Sequence, residues 1–244
     1  MANLIGLNEL YNNPNLTFIA FIAFFLLAAL GVRFALYAYW NGRAGDNTQT
    51  TLWGYLLVVG VVGTGYGLLG IGRITLSLDW LLELASGAAL LFALVLALAL
   101  REIDAASTGA ASSTPAERRV SLTVVFLALV GVLSVGLVVL PERRQVLAGV
   151  VGGGGLFVLW YGYRFGQRQL DNVRVRGTLL ETLLRHLLPV LLFAALISIA
   201  ELAVFAGLDR VIVIHVQVVL VIMTATTLMT STIKLRQNLQ GMRT

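Results

Sequence analysis

Apolar residues in this chain come in long blocks, not in alternation. Seven stretches carry few charges: Leu16–Trp40, Thr51–Ile71, Asp79–Leu100, Ser121–Leu140, Val146–Tyr163, Thr182–Ala206 and Val211–Leu235. About 20 apolar residues in a helix cross the ~30 Å hydrocarbon layer of a bilayer. A helix also satisfies its own backbone polar groups, which lipid cannot do. The pattern predicts an all-α, polytopic protein of the cell membrane. Residues 1–244 form one seven-transmembrane-helix bundle with short loops and two short tails. No Lys or Arg occurs in the first fifteen residues. The first apolar run is also longer than the core of a secretory signal, so it is expected to be a span.

Composition agrees with this reading. Of 244 residues, 58% are hydrophobic and 12% charged, and mean hydropathy is +0.89. Soluble domains carry about 25% charged residues. There is no cysteine, which excludes disulfides, thiolate metal sites and a cysteine nucleophile.

The net charge of +5 has a direction. Basic residues gather in cytoplasmic loops. With the N-terminus outside, Arg33, Arg43, Arg101, Arg118, Arg119, Arg164, Arg168, Arg174, Arg176, Arg185, Lys234, Arg236 and Arg243 fall on the cytoplasmic side. Only Arg73, Arg143, Arg144 and Arg210 fall outside. The expectation is therefore N-terminus outside, C-terminus cytoplasmic. The basic excess reports topology and suits anionic lipid headgroups; nucleic acid is not an expected partner.

Two connecting segments differ in character. Ile103–Glu117 is rich in Ala, Ser, Thr and Gly and holds Pro115, the composition of a linker. Gln167–Glu181 interleaves charges with Leu170, Val173, Val175 and Leu179. Arg174 and Arg176 make it the candidate docking surface for a membrane or cytoplasmic protein, the plainer reading being a solvated loop.

Glycine supplies a second signal. Gly63 and Gly67 have the small-xxx-small spacing of closely packed membrane helices. Gly152–Gly155 is compatible either with close packing or with a broken helix beside a cavity. Such faces suit packing within the chain, in a homo-oligomer, or in a larger complex.

Candidate chemistry is sparse. Ionisable groups inside a bilayer are costly and mark a functional site or a buried pair. Glu83 lies about one turn into its span, and Glu201 and His215 lie at a similar depth. Asp79, Arg210 and Gln217 sit near that level. Two readings stay open: a ligand or proton pocket of Asp79, Glu83, Glu201, His215 and Gln217, or a polar network that fixes packing. Thr224, Thr227 and Ser231 continue a polar helix face from Gln217 toward Lys234. That face either lines a pathway or bonds back to its own backbone. Pro189 removes one helical hydrogen bond and predicts a kink. Glu181 and Arg185 are spaced for a helix pair.

Several chemistries are excluded. His186 and His215 lie near opposite ends of antiparallel spans, ~20 Å apart by helical rise, so they cannot ligate one haem. No cluster has the ligand set of a metal site, and no nucleophile, metalloprotease or phosphate-loop motif occurs. No cofactor and no enzymatic activity are expected.

The layout resembles the microbial rhodopsins. Gly72-Arg73, then Leu78-Asp79-Trp80-Leu81-Leu82, is similar to that family's third-helix entry, and Pro189 falls where its sixth helix has a proline. The resemblance implies a counter-ion role for Asp79 and retinal packing for Trp80. It also requires a lysine in the middle of the last helix, and the chain's one lysine, Lys234, stands at that helix's end. The chain would then be opsin-related but unable to form a retinal Schiff base.

Three functions follow. The first is a sensory or accessory membrane protein that relays ligand or partner binding through its cytoplasmic loops. The second is a transporter or ion-pathway subunit using the carboxylate and histidine cluster. The third is a structural subunit of a larger membrane complex.

Overall fold

The computed structural model describes residues 13–44, 50–76, 80–108, 144–170 and 179–241. Within them the elements are α1 (Pro14–Ala44), α2 (Thr50–Leu76), α3 (Trp80–Thr108), α4 (Arg144–Leu170), α5 (Leu179–Ile199), α6 (Glu201–Phe205) and α7 (Arg210–Gly241). No strand occurs among the described residues.

Five helical stretches among them are long and apolar enough to cross a membrane: Pro14–Ala44, Thr50–Leu76, Leu84–Ile103, Glu181–Phe205 and Arg210–Gly241. The expected span Val146–Tyr163 falls within α4. Ser121–Leu140 lies outside the described residues, as do Arg174 and Arg176.

Helix starts follow local rules. Asn13 Oδ1 accepts from Leu16 N at 3.0 Å, and Pro14 takes the first helical position of α1, where its missing N–H costs nothing. The helices then pack side by side, α1 and α7 running parallel so that Asn41 meets Leu235 and Asn238. α1 packs on α2 and α7, α2 on α3, and α3 on α4 and α5; α5 also packs on α4 and α7. Phe34, Phe92, Leu100, Leu187 and Leu228 are fully buried between them.

Glycine sets the closest approach. A Cβ on Gly60 would lie 2.6 Å from Ala35 N, and one on Gly67 would lie 2.7 Å from Ala28 N. These two residues are seven apart, so they share one face of α2. Gly63 faces α3 instead, where a Cβ would meet Phe92 at 2.9 Å. The Gly63/Gly67 spacing is thus shared between two interfaces. Gly152–Gly155 lies in unbroken helix. Gly154 approaches Leu90, Gly155 approaches Ser198 and the Ala195 carbonyl, and Gly152 approaches Leu202. Close packing, not a break, accounts for these three.

The expected single helix Thr182–Ala206 is divided. Ala200 N still reaches Leu196 O at 2.9 Å, but Ala203 N bonds Ala200 O at 3.1 Å, an i−3 step. α5 ends there and α6 begins. Pro189 lies ten residues earlier, inside α5.

At the end where α1 meets α2, Asn41 is fully buried. Its Nδ2 donates to Tyr37 O at 2.7 Å and to Leu235 O at 3.0 Å. Its Oδ1 accepts from Asn238 Nδ2 at 2.8 Å. This clasp fastens the first helix to the last.

Candidate functional site

The opposite end holds a polar cavity, and local turn chemistry builds it. α6 closes with Gly207 at φ 89°, a left-handed residue that glycine adopts without a Cβ clash. Gly207 N bonds Val204 O at 3.0 Å and Leu208 N bonds Ala203 O at 2.9 Å, the paired bonds of a Schellman turn. Asp209 then caps α7, its Oδ1 accepting from Val211 N at 2.8 Å. This tight reversal carries Arg210 back toward Glu201.

Glu201 is 4% exposed. Its Oε1 accepts from Gln217 Nε2 at 2.9 Å and from Ser86 Oγ at 3.2 Å. Its Oε2 stands 3.8 Å from Arg210 Nη2, a long ion pair. Gln217 Nε2 also donates to Ile197 O at 3.2 Å. That carbonyl sits just before the break between α5 and α6, so the two amide hydrogens of Gln217 tie α7 to both helices. A buried carboxylate needs such partners, because removing a charge from water is otherwise expensive.

The cavity beside Glu201 is also lined by Tyr66, Arg73, Ser86, Ser198 and Gln217, with apolar walls from α1, α3, α4 and α7. It has about 30 Å³ of space open to water-sized groups; one water needs roughly 10–15 Å³. Ser198 is 1% exposed. Ser198 Oγ and Arg210 Nε are buried and have no hydrogen-bond partner among the described residues.

Of the sequence candidates, Glu201, Gln217 and Arg210 come together. His215 does not join them: it is exposed, and its Nδ1 pairs with Val211 O of its own helix at 2.7 Å. Asp79 lies outside the described residues, and Glu83 falls on α3 with its side chain outside them. Trp80 is on the surface, 44% exposed. Sequence reasoning did not single out Ser86, Ser198 or Tyr66, since single hydroxyls in apolar helices are commonplace. Arg73 was read only as a topological charge and as part of a family resemblance.

The polar face of α7 is buried at Thr224 and Ser231. Thr224 Oγ1 donates to Leu220 O at 2.7 Å, Thr227 Oγ1 to Met223 O at 2.8 Å and Ser231 Oγ to Thr227 O at 3.5 Å. These hydroxyls bond back to their own helix. Glu181 and Arg185 pair at 3.0 Å, as their spacing predicts. Among the described residues no group of three His, Cys, Asp or Glu side chains could hold a metal ion. No family model, no curated protein and no solved structure matches this chain.

Proposed function

We propose that this chain is a non-enzymatic, multi-pass cell-membrane protein of the sensory or accessory kind, a seven-helix bundle with its N-terminus outside. Binding at the Glu201 cavity is its input. One observation carries the reading: a buried carboxylate sits at the break between α5 and α6, tied to α3 by Ser86 and to α7 by Gln217. A change of charge or occupancy there acts on three helices at once. α5 runs from that break to Glu181, the end of the segment Gln167–Glu181. That segment, with Arg174 and Arg176, is the proposed output surface for a protein partner.

Hydrogen–deuterium exchange in lipid nanodiscs tests the relay. Glu201→Gln removes the charge and keeps the shape. Exchange across residues 167–181 is expected to change in that variant while α1 and α2 stay as they were. Identical exchange in both proteins would refute the relay.

A second reading, a transporter or ion-pathway subunit, draws on the burial of Thr224 and Ser231 below Gln217. Their back-bonded hydroxyls leave few groups to carry a proton or ion onward. Proton flux into liposomes that Glu201→Gln abolishes would favour this second reading over the first.

A further inference from the structure

We infer that a second cavity, between α3 and α4, takes the head-proximal part of one acyl chain, with its carbonyl at Arg101 and Tyr161. This site is separate from the Glu201 cavity and does not depend on the relay.

The cavity has about 200 Å³ of space open to water-sized groups. An engineered apolar cavity of about 150 Å³ stays dry and binds a benzene ring. The walls here are Leu94, Ala97 and Leu98 of α3 with Phe157 and Val158 of α4. None of these side chains offers a hydrogen bond, and a water needs two or more polar partners. Left empty, the same walls would forfeit their dispersion contacts on one side. An apolar occupant is what the space suits.

The shape is elongated and has one polar end. Leu94, Ala97, Leu98 and Arg101 follow the i, i+3, i+4, i+7 spacing of one helix face. Seven residues of helical rise make that face ~10 Å long. Gly154 meets Leu90, and further along both helices Tyr161 and Arg101 share the cavity wall. α3 and α4 thus run the same way, and both polar groups stand at the same end. Arg101 belongs to the last turn of the apolar span Leu84–Ile103, so this end lies at the membrane edge and the apolar end lies within the hydrocarbon. Phe157 is 51% exposed and places the opening on the lipid side.

The polar end selects the head. A guanidinium carries only donors and a phenol hydroxyl can donate, so the complement is an acceptor such as an ester or acid carbonyl. Arg101 Nη2 already pairs with Glu102 Oε1 at 3.1 Å, which balances the charge. An acyl carbonyl above a chain meets both demands, acceptor at the edge and apolar body below.

Photolabelling of the purified protein in dimyristoyl phosphatidylcholine nanodiscs tests this. Two probes carry a diazirine in the head-proximal half of an alkyne-tagged chain: a phosphatidylcholine and the corresponding free fatty acid. Leu94 and Leu98 are buried, so a chain reaches them only from inside the cavity. Phe18 of α1 is exposed and reports bulk lipid. Labelling at Leu94 and Leu98 is expected to saturate as the probe fraction rises, while labelling at Phe18 rises in proportion. Ala97→Phe fills the cavity from α3 and should remove the first signal and keep the second. Val158→Phe fills it from α4 and serves if Ala97→Phe loses wild-type helicity or elution volume.

Saturation with either probe supports the proposal. The phosphatidylcholine alone would name a membrane lipid as the source, and the fatty acid alone a free acid. No labelling of Leu94 and Leu98, or labelling that only rises in proportion, would overturn it. Labelling that persists in a folded filled variant would overturn it too, since the chain would then reach those residues by another route.

Discussion

Gln217→Leu is the most direct probe of how the cavity is held. It puts an apolar side chain of similar size in place of the amide and removes two donated hydrogen bonds, one to Glu201 Oε1 at 2.9 Å and one to Ile197 O at 3.2 Å. In water-soluble proteins a bond to a charged group contributes about 1.5–3 kcal/mol and a neutral one about 0.5–1.5 kcal/mol. Inside membranes the measured mean is ~0.6 kcal/mol and the largest ~1.7 kcal/mol, because the unpacked helices also find partners. Assigning the larger membrane figure to the charged bond and the mean to the carbonyl bond gives a loss of about 2 kcal/mol. Reversible unfolding by SDS in mixed micelles, followed by far-ultraviolet circular dichroism, measures it. A cycle with Glu201→Met isolates the shared bond and should show a coupling of about 1–2 kcal/mol. Additivity within about 0.5 kcal/mol would mean that the two side chains do not hold each other, and the account of the site would fall.

Three further outcomes are expected in the same unfolding assay. Gly60→Val should destabilise by about 1–3 kcal/mol through overpacking against Ala35, whereas Gly65→Ala, with open space around it, should be neutral or gain up to ~1 kcal/mol of helix propensity; equal effects would refute the α1–α2 interface. Asn41→Leu should cost about 1–2 kcal/mol by freeing Asn238 and the Leu235 carbonyl, and Asn238→Leu should cost less. His215→Ala should change stability by under about 0.5 kcal/mol, as expected for a surface side chain; a loss above about 1 kcal/mol would put His215 in the packed site.

The apolar blocks made most helices legible, because length and hydropathy suffice to mark a span. Depth was legible too: counting residues from the end of each block put Glu201 and Gln217 at one level. Rotation was not. His215 and Gln217 are two residues apart, ~200° around a helix, so they cannot both face the cavity. The buried run Val213, Ile214, Val218 and Val221 turns Gln217 to the margin of the packed face and His215 away from it. The break at Ala200 was equally hidden, since neither Pro nor Gly marks it. Its signal lies in a partner: the Ile197 carbonyl is taken by Gln217, twenty residues on. Glycine spacing marked close packing but not the partner, since a four-residue step in α2 divides between α1 and α3 where a seven-residue step does not.

The Asn41 clasp bears on how the chain is made. Asn41 emerges 194 and 197 residues before its partners Leu235 and Asn238. Until they arrive, neither end of its side chain has an interhelical partner and only the Tyr37 carbonyl of its own helix is in reach, while α1 and α2 can already pair through the glycines of α2. A chain stopped before Leu235 is therefore expected to carry an amide without its interhelical partners, a mark by which membrane quality control can tell it from a chain that has reached Asn238. Truncation at residue 230 is expected to shorten cellular half-life, and Asn41→Leu to restore part of it; no rescue would show that the clasp sends no such signal.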